Sequence, residues 1–288
     1  MSHHDAHAAD AHHAVADHPY HLVDPSALPF FSAMAVFALA VGLATHMHEM
    51  AIGTYLLPAG FIAVLTCMFF WWRDVIREGL YQKAHTYAVQ HGLRVGMALF
   101  ITSEVMFFFA FFWAFFDASL FPKVHIQEAW DMATGIAQWP PVGITPFDAW
   151  DLPFINTLIL LLSGTTVTWA HYALLEGKQK DMIQALTITV ALGLSFTALQ
   201  ALEYSHAAFG FKDGIYAATF YMATGFHGAH VIIGTIFLAV CLVRAKRGTL
   251  TMRGHLGFEF AAWYWHFVDV VWLFLFVGVY WWGAGPQH

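Results

Sequence analysis

Charge is scarce in this 288-residue sequence. Only 11% of it is Asp, Glu, Lys or Arg, where a soluble domain carries about 25%. With 59% of the residues hydrophobic, a soluble globular protein is excluded and an integral membrane protein is implied. Basic charge is scarcest of all: 12 Lys and Arg against 19 Asp and Glu, a net −7 with histidine neutral. That balance excludes a basic nucleic-acid-binding surface. The two cysteines, Cys67 and Cys241, both fall inside apolar runs. They read as packing residues rather than a disulfide. Residues 1–24 lack the basic start and apolar centre of a cleavable signal. They form a tail with seven histidines, read as disordered. His-rich tracts can bind metal, but the spacing here is irregular and nothing else fixes a site.

What is present is a series of long apolar runs. The pattern predicts an all-α membrane protein with seven spans, at about 28–45, 53–72, 95–116, 153–175, 182–202, 216–243 and 260–282. Pro122, Pro140, Pro141 and Pro146 mark the longest connection, 117–151, as a surface loop rather than another span. The loops after spans 2, 4 and 6 hold ten of the twelve basic residues, and the opposite side has only Lys123 and Lys212. By the positive-inside rule the N-terminus lies inside and the C-terminus outside.

The stretch 92–116, GLRVGMALFITSEVMFFFAFFWAFF, carries a lone carboxylate, Glu104, near its middle. At that depth it needs a polar partner. One reading makes Glu104 a proton carrier. The other makes it a protonated buried carboxyl held by a hydroxyl such as Ser103 or by a histidine. His227 and His230 lie at comparable depth in span 6, and His266 and Asp269 in span 7, each pair at i, i+3. These four form either a metal site or an interhelical hydrogen-bond network. At the inner end of span 2, Trp71, Trp72, Arg73, Asp74, Arg77 and Glu78 precede His85, and Arg244 ends span 6 on the same side. They serve either as ordinary interfacial anchors or as a specific site for lipid phosphate.

Several of these strings resemble subunit III of the haem-copper cytochrome c oxidases. They are WWRDVIREG at 71–79, the stretch 92–116, TWAHYALLEG at 168–177, ATGFHGAHVIIG at 223–234 and GFEFAAWYWHFVDVVWLFLFVGVYWWG at 257–283. The resemblance runs from about residue 28 to the end and omits the His-rich tail. It departs at Asp117-Ala118-Ser119, where the family commonly has His-Ser-Ser.

The resemblance implies a two-helix part (spans 1 and 2) splayed from a five-helix part (spans 3–7), with phospholipid in the cleft between. By position it makes Trp71, Trp72, Arg77, Glu78, His85 and Arg244 lipid-headgroup contacts, and Glu104 the buried carboxyl near the lipid cleft. It implies no redox centre in this chain. Haem and copper belong to partner subunits: direct binding to subunit I, a complex with subunit II, and a donor such as cytochrome c reached only through the complex. The implied role is support of steady proton uptake and protection of the catalytic subunit. The expected location is a bacterial plasma membrane in preference to the mitochondrial inner membrane.

Two other functions are consistent with the residues themselves. A stand-alone proton-coupled transporter would use Glu104 and Asp269, although neither an internal repeat nor a broken helix is evident. A retinal-type pump is excluded, because no span contains the lysine a Schiff base needs. A membrane-embedded metal enzyme would use His227, His230, His266 and Asp269.

Overall fold

The computed structural model describes residues 23–122, 138–252 and 254–285. Most of the His-rich tail and the middle of the Pro-rich connection therefore lie outside the described residues. Within them the chain is helical: α1 Leu28–Met47, α2 Ala51–Leu80, α3 Tyr87–Leu120, α4 Leu152–Leu175, α5 Gln179–Ser205, α6 Ile215–Lys246 and α7 Leu256–Leu275, which continues as a π-helical turn, Phe276–Trp282. All seven are long and apolar enough to cross a bilayer. The helices overrun the apolar runs that mark them. α2 continues through Arg73, Asp74, Arg77 and Glu78 to Leu80, and α3 starts at Tyr87. Hydropathy ends where charge begins, but backbone hydrogen bonding does not, and a charged turn at the headgroup level keeps its helix.

The chain divides into two compact units, Met1–Leu93 and Arg94–His288. In the first, α1 and α2 form a hairpin. α1 ends in a Schellman motif, in which Glu49 N–H donates to His46 O and Met50 N–H to Thr45 O, each at 3.0 Å. Glu49 takes the left-handed position usually given to glycine, with φ 58°. The two backbones then touch. A Cβ on Gly42 would stand 2.6 Å from Leu57 N, and one on Gly60 2.6 Å from Leu39 N. One on Gly53 would collide with His46 N. Small residues at such crossings are how helices approach closely in a membrane, where lipid tails offer no hydrophobic advantage to association.

The second unit is a bundle around α7. Trp265 is fully buried. Its ring fills a slot made by two glycines, since a Cβ on Gly193 of α5 would come within 2.9 Å of it and one on Gly234 of α6 within 2.8 Å. Its Nε1–H donates to Ser163 Oγ on α4 at 2.8 Å. One side chain thus ties α7 to three neighbours. About two turns further on, Trp272 Nε1–H donates to Thr157 Oγ1 at 2.8 Å. Each buried indole has its polar atom satisfied, which matters where no water is at hand. Trp139, ahead of α4, closes the far end by donating to Gly283 O at 2.9 Å and packing on Phe115 and Tyr216.

Candidate functional site

The mid-span polar residues sit where counting along the helices puts them. Glu104 is 17 and 16 residues from the ends of Tyr87–Leu120, His230 is 15 and 16 from those of Ile215–Lys246, and Asp269 is 13 from each end of Leu256–Trp282. The structure sorts them into three places rather than one.

Glu104 of α3 meets His230 of α6, with Oε2 and Nε2 2.9 Å apart. Ser103 takes no part, since its hydroxyl donates to Phe100 O at 2.6 Å. The other ring nitrogen of His230, Nδ1, lies 2.7 Å from Phe226 O. A carbonyl only accepts, so Nδ1 carries the hydrogen. Phe108 and Tyr264 pack on the imidazole at centroid distances of 4.9 and 6.2 Å. The pair is largely enclosed, with side-chain exposures of 11% for His230 and 21% for Glu104.

His227 turns the other way, into the bundle. It is 1% exposed. Its Nε2–H donates to Val268 O at 3.1 Å, and its ring lies between Phe196 and Trp272. His266 and Asp269 face α4. His266 Nε2 lies 3.1 Å from Thr168 Oγ1, and Nδ1 lies 3.6 Å from Asp269 Oδ2. Gly164 makes room for that carboxylate, because a Cβ there would collide with Oδ2. The four side chains of the metal-site reading therefore do not converge. Among the described residues no three His, Cys, Asp or Glu side chains gather as ligands.

The headgroup candidates fall in both units. On α2, Trp71 and Trp72 are 41% and 58% exposed. They border a groove of about 300 Å³ lined also by Ser32, Val36, Val64 and Cys67. Arg73 is committed locally, 3.1 Å from Asp74 Oδ1 and 4.9 Å above the Phe70 ring. Arg77 is exposed and Glu78 half-buried. The chain folds back so that His85 lies over Gly79, where a Cβ would stand 2.8 Å from Nδ1. In the second unit Arg244 is half-buried. Its Nη2 reaches Gly254 O only at 3.4 Å, and its Nε is buried with no acceptor among the described residues. An orphaned guanidinium N–H beside a helix end suits a phosphate oxygen.

Two polar groups escape the sequence reading. Arg94, counted there only as loop charge, forks onto Glu259 with Nε–Oε1 at 3.0 Å and Nη2–Oε2 at 2.9 Å, tying α3 to α7. Glu203 is 1% exposed. It accepts from Tyr280 Oη at 2.7 Å and Gln200 Nε2 at 3.2 Å. The available signal was a carboxylate at the very edge of an apolar run, with Gln200 one turn before it.

Helices of this length, with polar groups paired at mid-span, define a multi-pass membrane protein. The sequence matches the family model for cytochrome c oxidase subunit III over residues 18–284. It is 56% identical over 277 residues to the "Probable cytochrome c oxidase subunit 3" of Rickettsia bellii, covering 96% of this chain and 99% of that one. It is 56% identical over 267 residues to cytochrome c oxidase subunit 3 of Arabidopsis thaliana, covering 93% and 97%. For the Chondrus crispus protein of the same name the figures are 53% over 271 residues, covering 94% and 96%. The chain belongs to the cytochrome c oxidase subunit III family, and so to a multi-subunit oxidase complex.

Proposed function

We propose that this chain is a non-redox core subunit of a proton-pumping cytochrome c oxidase in a bacterial plasma membrane, with its N-terminus inside. It binds the catalytic subunit I directly, in a complex that also holds subunit II. Haem and copper are carried by those partners, and the complex reduces oxygen to water with electrons from cytochrome c or an equivalent donor. The chain stabilises the catalytic subunit, sustains its proton uptake and binds phospholipid, with no catalytic centre of its own. The observation that carries this reading is the family match over 18–284, which takes in every span. The Arg244 guanidinium supports the lipid part, because its buried Nε–H lacks an acceptor among the described residues. Arg77 and the Trp71–Trp72 pair supply the charge and the amphipathic rings that headgroups favour.

The test is purification through a tag on this chain in a gentle detergent, with an optical spectrum and mass spectrometry of what accompanies it. Haem absorption, two larger hydrophobic subunits and bound phospholipid are expected. A colourless, partner-free chain from native membranes would overturn the reading. It would favour the proton-coupled transporter, with Glu104 and Asp269 as the residues to examine.

A further inference from the structure

Asn156, Gln200, Glu203 and Tyr280 form a sealed polar cluster that the proposed function does not use. Asn156 lies near the start of α4, Glu203 in the last turn of α5 and Tyr280 in the π-helical turn that ends α7. All therefore sit at the end of the bundle opposite the Lys/Arg-rich loops. Polar side chains at that level usually meet water. These do not, since none of the four is more than 6% exposed. The rings of Trp272, Phe220 and Phe147 cover Tyr280 at centroid distances of 5.7, 5.3 and 6.5 Å. A π turn is a rare interruption of a helix and is common at functional sites. Here it carries the hydroxyl that reaches Glu203.

The cluster is short of hydrogen. Tyr280 Oη donates to Glu203 Oε1 at 2.7 Å. Gln200 Nε2 donates to the same oxygen at 3.2 Å and to Tyr280 Oη at 3.1 Å. Asn156 Nδ2 donates to Gln200 Oε1 at 3.4 Å. Each donor atom is then engaged, while two acceptors, Glu203 Oε2 and Asn156 Oδ1, are buried without a partner among the described residues. Turning both amides round does not help. It would set Gln200 Oε1 against Glu203 Oε1, two acceptors about as close as the 3.2 Å contact they replace. Nor is there a cation to help. Among the described residues no Lys, Arg or His pairs with Glu203. The ionisable groups that act on it are all acids: Asp151 ahead of α4, Tyr204 on its own helix, Tyr221 on α6 and Tyr280 on α7. An ionised Glu203 would be a lone charge in a low-dielectric interior, a state that buried carboxyls escape by taking up a proton.

We propose that Glu203 is a buried proton-binding site: a neutral carboxylic acid with its hydrogen on Oε2, donating to an enclosed water shared with Asn156 Oδ1. Oε1 remains the carbonyl oxygen and keeps both of its donors. The water accepts from Oε2–H and donates to the amide oxygen. One molecule with polar partners on both sides thus satisfies both orphaned atoms, the condition under which buried water is retained. The site stands apart from the oxidase-subunit reading, because it rests only on side chains of this chain.

The test is infrared spectroscopy of the tagged complex in the carbonyl-stretch region at neutral pH. Subtraction of the Glu203→Gln spectrum from that of the unmodified protein should reveal one carboxylic-acid C=O band, lost in the variant and moved to lower frequency in deuterated water. Tyr280→Phe removes a hydrogen bond to that carbonyl, so the band should persist and rise in frequency. Because this variant retains Glu203, it decides the matter even where Glu203→Gln fails to accumulate. A density map of the complex that resolves ordered solvent should show one peak within hydrogen-bond distance of both Glu203 Oε2 and Asn156 Oδ1. Loss of a carboxylate band in place of the acid band would overturn the proton site. So would an acid band that Tyr280→Phe leaves unmoved, since Oε1 would then not be its carbonyl. A map of that quality without the peak would overturn the water.

Discussion

Glu104 Oε2 and His230 Nε2, 2.9 Å apart, share one proton between them. His230 Nδ1 already donates to Phe226 O. A neutral imidazole then has a bare Nε2, and the contact forms only if the carboxyl brings the hydrogen. If the imidazole is protonated the carboxylate is bare. Either way the pair is neutral overall, as a low-dielectric bundle requires.

The pair predicts an asymmetry between substitutions. Glu104→Gln keeps a donor for Nε2, so the complex should assemble and retain oxygen-reducing activity within about two-fold. Glu104→Leu strands Nε2, and His230→Leu strands the carboxyl. Each should cost about 1–3 kcal/mol of stability, read as earlier thermal loss of the assembled complex. Outright loss of oxygen reduction in Glu104→Gln would contradict a supporting role for this chain.

The Arg94–Glu259 fork predicts a geometric rather than a purely ionic requirement. Nε and Nη2 both engage the carboxylate, at 3.0 and 2.9 Å, and Glu259 is only 14% exposed. Lysine keeps the charge but cannot fork. Arg94→Lys should therefore destabilise the second unit by about 1 kcal/mol or more, and Glu259→Ala by more than that, because it leaves a guanidinium two-thirds buried without its anion. Thermal denaturation of the purified complex measures both. Equal stability of Arg94→Lys and the unmodified protein would show that the fork contributes nothing beyond charge.

The glycine contacts of α1 and α2 predict a sharp contrast between sites of one residue type. Gly60→Leu would drive a side chain against the backbone at Leu39, and Gly42→Leu against that at Leu57. Overpacking of this kind costs about 1–3 kcal/mol where neighbours can yield, and here the neighbour is backbone. Both variants should accumulate poorly in the membrane. Gly96→Ala meets nothing within 4 Å. It should be neutral or stabilising by up to about 1 kcal/mol, as alanine is the better helix former. Comparison of membrane accumulation and thermal stability across the three decides it.

These residues also show how far the sequence reaches. Seven apolar runs are enough to count and order the helices, and counting along each run gives the depth of Glu104, His230 and Asp269. Rotation about the helix axis is another matter. His227 and His230 are three residues apart, about 60° around the helix. That is enough for one to reach Val268 O inside the bundle and the other to reach Glu104 on α3. The i, i+3 spacing groups them, and only packing separates them. Arg94 and Glu259 were invisible for a different reason. A hydropathy reading discards charges at span ends, and nothing in the linear order pairs two residues 165 positions apart.

The arginines give a last prediction, in which local geometry ranks three residues of one type. Arg73 is paired with Asp74 and lies over Phe70. Arg77 is exposed one turn further along α2. Arg244 holds a buried Nε–H without an acceptor among the described residues. If phospholipid phosphate is the anion these side chains serve, Arg77→Ala and Arg244→Ala should each lower the phospholipid that co-purifies with the complex and shorten its working life during turnover. Arg244→Lys should fail to restore it, since an ammonium cannot offer two parallel N–H groups to a phosphate. Arg73→Ala should leave the lipid content unchanged, its charge being spent on Asp74. Quantitative lipid mass spectrometry on the four variants reads this directly. Unchanged lipid in both Arg77→Ala and Arg244→Ala would refute the headgroup assignment, and equal loss in all four would reduce it to non-specific surface charge.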